Sequence, residues 1–296
     1  MNKTIKILAA LLPLFITSCN NDDANVTTTP QQDPVVTLSA GITRAEGETG
    51  TTNTEPDPFS YNKIKVINVT RQGKGLPYSQ AVFTKNTSEA TTTWTSDSPL
   101  LWCGGFENTF HAVYPATADY SSFTVPADQS TEAKLKSADW MTGEAKVTLA
   151  NLDNASALDI NMTRKMAMVE IEIKIGSTIY GNHLLVVESP SYNGTDNIIF
   201  ETNDNKINAY RTSNSEFTFS SIIPPGSKSK DAILCHLYTK NNEIPTLVNS
   251  YKLNSDIIFQ SGKKYKFKFT PLSFGGSAPT RSAAPNNLTL VSVEPM

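Results

Sequence analysis

Residues Val169-Glu170-Ile171-Glu172-Ile173-Lys174-Ile175 alternate apolar and charged side chains without a break. Such a stretch can bury one face only as a β-strand, where successive side chains point to opposite sides. Tyr265-Lys266-Phe267-Lys268-Phe269 repeats the pattern. Less regular runs of the same kind predict strands at 63–70, 80–84, 91–94, 106–114, 122–125, 146–149, 156–162, 183–188, 217–223, 233–239, 245–253 and 288–293. Gly, Pro and Asn turns separate them, and helical periodicity is weak. Short strands at this spacing predict an all-β chain of β-sandwich type.

The N-terminus has a different character. Lys3 and Lys6 precede an almost wholly apolar run, 7–16, interrupted by Pro13. Ten helical residues cover about half of a ~30 Å hydrocarbon core, so the run is too short to span a membrane and fits a secretory signal. It ends Phe15-Ile16-Thr17-Ser18-Cys19. An apolar residue, two small residues and a cysteine have the form of a lipobox, predicting cleavage between Ser18 and Cys19 and a lipid, such as palmitate, on Cys19. Asn20-Asn21-Asp22-Asp23 follows, either an acidic surface-export signal or the start of a solvated linker. Each buried methylene is worth about 0.8 kcal/mol, so two or three acyl chains would anchor stably. Removing residues 1–18 takes Lys3 and Lys6 and no acid, moving the formal charge from −3 to −5. No basic cluster points to nucleic acid.

Residues 19–34 are polar and read as a flexible tether, and 45–58 have a similar composition. Between them Val36, Leu38, Ala40 and Ile42 share one face of an expected strand, 35–42. A boundary near residues 162–165 divides the rest into an N-terminal domain, 35–163, and a C-terminal domain, 164–296, with an extension at 275–296. After Cys19 only Cys103 and Cys235 remain, each in an apolar segment, as two buried thiols or as a pair.

Catalytic patterns are missing. The sequence has no His-x-x-x-His, Cys-x-x-Cys or Gly-x-Ser-x-Gly. It therefore predicts no enzyme, no metal and no cofactor. His111 reads as a core or groove-lining residue, and Trp94 and Trp102 as packing residues or, alternatively, a glycan platform.

Several segments together resemble the fimbrillin-like proteins of Bacteroidetes, the subunits of type V pili. They are the lipobox with its acidic stretch, the first strand running into Thr43-Arg44-Ala45, Phe110-His111-Ala112-Val113-Tyr114-Pro115, Asp139-Trp140-Met141, residues 158–171, and Gly262-Lys263-Lys264-Tyr265-Lys266-Phe267. Arg164 or Lys165 stands where such proteins often have His, and Glu294-Pro295-Met296 replaces a terminal Trp.

The resemblance implies two tandem transthyretin-like Greek-key sandwiches and a fimbrial subunit of the outer membrane surface, with other pilin subunits as partners. It also implies assembly by donor-strand exchange. A protease cuts between Arg44 and Ala45, strand 35–44 leaves, and a neighbour's strand takes its place. Four apolar side chains are worth roughly 1.5–3 kcal/mol each when buried, while ordering eight residues costs about 1–2 kcal/mol each. These sums are comparable, so a strand cut from its tether is exchangeable. Leu288, Leu290, Val291 and Val293, after the Gly/Pro/Ser/Ala-rich 275–287, form either the donor strand or part of their own sheet. Arg44 is either the processing site or an uncut turn residue. The alternatives are a tip or anchor adhesin for a host or bacterial surface ligand, and a glycan-binding lipoprotein that does not polymerise.

Overall fold

The computed structural model describes residues 33–43, 61–87, 92–148, 157–173, 182–188, 197–199, 206–213, 218–241, 244–269 and 287–296. The signal segment, Cys19, Arg44 and Ala45 lie outside them.

The first part of the chain supplies β1 (Leu38–Thr43), β2 (Lys63–Asn68), β3 (Gln80–Thr87), β4 (Thr92–Ser96), β5 (Glu107–Tyr114), β6 (Ser122–Thr124), β7 (Met141–Thr148) and β8 (Leu158–Arg164). Seven of these form one sheet in the order β1-β8-β7-β5-β2-β3-β4. The second part supplies β9 (Ala167–Ile173), β10 (Asn182–Glu188), β11 (Asn197–Ile199), β12 (Lys206–Asn208), β13 (Tyr210–Ser213), β14 (Thr218–Ile223), β15 (Gly226–Lys228), β16 (Ile233–Asn241), β17 (Ile244–Leu253), β18 (Ile257–Phe259), β19 (Lys263–Phe269) and β20 (Asn287–Pro295). Nine form the second sheet, ordered β12-β10-β16-β17-β20-β19-β9-β14-β13. The fold is all-β, and the chain changes sheet between β8 and β9.

Alternation sorts the faces. Along β8 every second residue is buried, from Leu158 through Ile160 and Met162 to Arg164. In the second sheet β9 and β19 run parallel. Their apolar sides turn inward and their charges meet outside, Lys264 with Glu170 at 2.7 Å and Lys268 with Glu172 at 3.5 Å. One core cluster lies in the first sheet. The other fills the second and takes in Leu135, Ala138 and Trp140 from the first part, so the junction is apolar. Gln129 ties the parts together, its amide donating to Ile222 O at 2.8 Å and accepting from Ile222 N at 2.7 Å.

Among the described residues, two short helices have no counterpart in the sequence reading. The strand expected to reach residue 70 stops at Asn68, whose side chain accepts from Arg71 N at 3.0 Å and caps α1 (Val69–Gly73). Thr131 caps α2 (Glu132–Ser137) in the same way. Neither is long enough to show a helical period.

Candidate functional site: the groove under the first strand

The expected first strand lies in the first sheet, at its edge. Leu38–Thr43 pair in parallel with Leu158–Thr163 of β8. The residues just before run along a different neighbour. Val36 N donates to Leu100 O at 2.7 Å, Trp102 N donates to Pro34 O at 3.0 Å, and Val35 bridges Leu101. Thr37 O then accepts from Leu158 N at 2.7 Å, where the strand changes partners. Residues 34–43 therefore close the sheet between the 100–102 segment and β8.

Side chains of residues 36–40 alternate between the core and solvent. Val36 and Leu38 are buried and Ala40 packs against the same cluster, over Trp102, Phe110, Leu158 and Ile160. The side chain of Ile42 is outside the described residues. Trp102 stands edge-on to Phe110 with centroids 4.9 Å apart. It is floor, buried beneath the strand, and Trp94 is half-buried against the same cluster.

The wall at 100–104 is held by a buried polar network that sequence reading passed over. Asn68 Nδ2 donates to Leu101 O at 3.0 Å and to Asn108 Oδ1 at 2.8 Å. Asn108 Oδ1 also accepts from Cys103 N at 2.8 Å, and its Nδ2 donates to Cys103 O at 3.0 Å. Arg71, 3% exposed, donates through Nη1 to Trp102 O at 2.9 Å and to Asp33 Oδ2 at 2.7 Å. Asp33 Oδ1 accepts from Gly104 N at 3.2 Å. The last two residues of the expected tether, Asp33 and Pro34, thus belong to the fold. A polar tripeptide Gln32-Asp33-Pro34 gives no periodic signal, and Arg71 follows the expected strand 63–70 with nothing in its neighbours to mark it as buried. Only the tertiary contact distinguishes them.

Gly143 shapes the far side. A Cβ placed there would meet Asn161 O at 2.6 Å, so β7 and β8 approach too closely for any side chain.

Other expected residues lie elsewhere. Leu288, Leu290, Val291 and Val293 are in β20, paired antiparallel with β19 inside their own sheet. Leu288 is buried, Leu290 is half-buried, and Val291 and Val293 are exposed. His111 is neither core nor groove lining. It lies on the outer face of β5, stacked on Tyr120 at 3.7 Å with Nε2 3.3 Å from Glu144. The side chains on either side of it in β5, Phe110 and Ala112, take the inward positions. Cys103 and Cys235 form no disulfide and are both buried thiols, one in each part.

No group of three or more His, Cys, Asp or Glu able to hold a metal occurs among the described residues. The nearest approach to a catalytic arrangement among them is a hydrogen-bonded chain across β17, β16 and β10, from Ser250 to His236 Nδ1 and from His236 Nε2 to Glu188, each at 2.8 Å. The ring nitrogens are reversed relative to a hydrolytic triad, in which Nε2 faces the serine. Lys228 also shares the Glu188 carboxylate at 3.6 Å.

Residues 43–290 match the family model described as fimbrillin-like. No curated protein sequence matches the chain. Among solved structures, a candidate cell adhesion protein from Bacteroides ovatus superposes with a TM-score of 0.52 at 12% identity, covering 90% of this chain and 98% of its own. A second, from Bacteroides uniformis, gives 0.51 at 16% identity, covering 88% and 98%. These likenesses bear on the fold. The family match spans most of the chain, and the protein belongs to the fimbrillin-like family, whose members are fimbrial and adhesion-type proteins.

Proposed function

We propose that this fimbrillin-like chain is a structural subunit of a surface fimbria, exported as a lipoprotein on Cys19 and assembled by strand exchange after cleavage between Arg44 and Ala45. One observation carries the reading. β1 is an edge strand with a single long ladder, it covers an apolar groove, and it ends one residue before Arg44. Once the chain is cut there, only non-covalent contacts hold 33–43 in place. Main-chain bonds to β8 then supply affinity for a new strand, and alternate side chains set its register. The chain's role is binding and assembly rather than catalysis.

Mass spectrometry of the surface-purified protein tests the cut, with an N-terminus at Ala45 expected. A chain still beginning at lipidated Cys19 in the polymer would overturn it. Cysteine labelling follows the opening directly. Cys103 N–H is bonded in the wall that residues 33–36 cover, whereas Cys235 is sealed in the second core, where burial pushes its thiol well up. Cleavage and strand loss should let an alkylating reagent reach Cys103 first while Cys235 stays protected.

A second reading is favoured by β20. Its end is locked in place, with Met296 N donating to Gly262 O at 2.9 Å and Arg164 Nη1 donating to Met296 O at 3.1 Å. A subunit that accepts a strand but keeps its own C-terminal strand would stand at an end of the fibre, as a tip or anchor. Deleting residues 286–296 separates the two, since polymers that still form exclude Leu288–Val293 as donor.

A further inference from the structure

Arg71 has little solvent around it while β1 is seated. A buried guanidinium is tolerated only with acceptors around it, and Arg71 has three among the described residues. Pro77 O accepts from Nε, and Trp102 O and Asp33 Oδ2 accept from Nη1. The two carbonyls stay with the folded domain. The carboxylate does not, because Asp33 is on the N-terminal side of Arg44 and leaves with the strand. The same event frees the N–H of Gly104, which donates to the other Asp33 oxygen. What remains is a charged donor and a backbone donor, both directed at the place of one carboxylate. The Asn68 and Asn108 network holds them at the head of the groove.

We propose that Arg71 and the Gly104 amide form a carboxylate socket, and that a strand entering the groove is selected by an acidic residue just ahead of its apolar run. This inference rests on the strand-exchange reading and adds a chemical criterion to it. Asp33 is the placeholder that keeps the socket filled until the strand departs. Charge complementarity defines the partner as an extended apolar segment preceded by Asp or Glu. Residues 257–293 of this chain contain neither. A second copy's Leu288–Val293, entering in the direction of β1, would therefore leave the guanidinium without a counter-charge. The fitting donor belongs to a different subunit.

The test uses the full chain with one site for a sequence-specific protease placed within residues 45–58. After cleavage, the strand is removed in mild denaturant and labelled peptides are offered to the open groove, with binding read by fluorescence anisotropy. A peptide of residues 31–44 should bind at least about tenfold more tightly than the same peptide carrying Asp33→Asn, the scale of a lost charge-assisted hydrogen bond. A peptide of residues 284–296 should bind more weakly than the native one. Both comparisons use the wild-type domain and do not depend on a variant folding. In the domain, Arg71→Lys should keep a preference for the acidic peptide and Arg71→Gln should abolish it. Equal affinity of the native peptide and its Asp33→Asn counterpart would overturn the socket and leave strand exchange intact. Binding of 284–296 as tight as that of 31–44 would overturn the assignment to a different subunit. Failure of the native peptide to rebind would remove the strand-exchange reading, and the socket with it.

Discussion

β1 and β20 sit in different sheets, β1 at the edge of the first and β20 inside the second between β17 and β19, and they are held in opposite ways. β1 has a parallel ladder to β8, and residues 34–36 just before it make a short antiparallel contact with 100–102. β20 has an antiparallel ladder to β19 along nearly its whole length and meets β17 only at Asn287 and Leu288. Parallel pairing is slightly the weaker per residue. β1 compensates by burying Leu38, and the residues leading into it add buried Val36 and the ion pair of Asp33. β20 leaves Val291 61% exposed and relies on its ladder and its buried ends, Leu288 and Met296. Under the strand-exchange proposal, a strand held by side chains and one clasp would yield to a strand that offers the same face and clasp. A strand held by its ladder and pinned at both ends is poorly placed to leave. Under the strand-exchange proposal, the contrast favours this chain as acceptor over donor.

The largest expected effect breaks the C-terminal pin. Arg164 lies 2.8 Å from Asp139, which is fully buried, while its Nη1 holds Met296. Arg164→Ala leaves that carboxylate buried beside a hole. It should cost about 3–5 kcal/mol in chemical denaturation, with amide exchange rising along β20 more than along β1. If β20 stays protected, its hold lies in the ladder alone.

Next come Leu38→Ala and Leu288→Ala. Each deletes a buried leucine and should cost about 2–5 kcal/mol. They should differ in where the loss is felt. Leu38→Ala should open β1 locally, read as faster exchange at Leu158 N–H, whose acceptor is Thr37 O. Leu288 sits in the second core, and its loss should lower the stability of the whole second sheet. Identical global effects would show that β1 is not a separable unit.

A smaller effect is expected one strand further in. Gly143→Ala forces a methyl against the Asn161 carbonyl and must push β7 from β8, at about 1–3 kcal/mol. Because β8 carries β1, the shift should also weaken rebinding of the first strand, and leave β20 untouched.

Much of this architecture was legible because alternation is a direct readout of burial. β9 and β19 follow from their charges, and the face of β1 follows from Val36, Leu38 and Ala40. What stayed hidden has a different physical basis. β15 (Gly226–Lys228) and β18 (Ile257–Phe259) are three residues each, too short for a period. Asn68, Asn108 and Arg71 carry no apolar signal in sequence and are buried in the fold, because their partners are groups that tertiary contact brings to them, some 30 to 40 residues away for Asn68 and Arg71. Asp33 is assigned to the tether by composition and to the groove by its contacts with Arg71 and Gly104. The groove's floor could be read; its clasp could not, since a clasp is a pairing of two residues that are each unremarkable alone.

The smallest effect concerns acid and β20 alone. The hydrogen bond from Lys266, 2.9 Å away, and a second from Ser292 hold the Glu294 carboxyl below its ordinary range. A depressed carboxylate contributes stability that is fully present above the unfolded value, about 4.3, and that is lost as pH falls through the folded one. The pair is largely solvated, so its worth is about 0.5 kcal/mol. Amide exchange at the β19–β20 ladder should therefore rise slightly more below about pH 4 than exchange along β1, beyond the intrinsic pH dependence. Glu294→Gln should erase that difference. An acid step of the same size persisting in the glutamine variant would mean that another carboxylate guards β20, and the head-and-ladder contrast with β1 would have to be drawn from that residue instead.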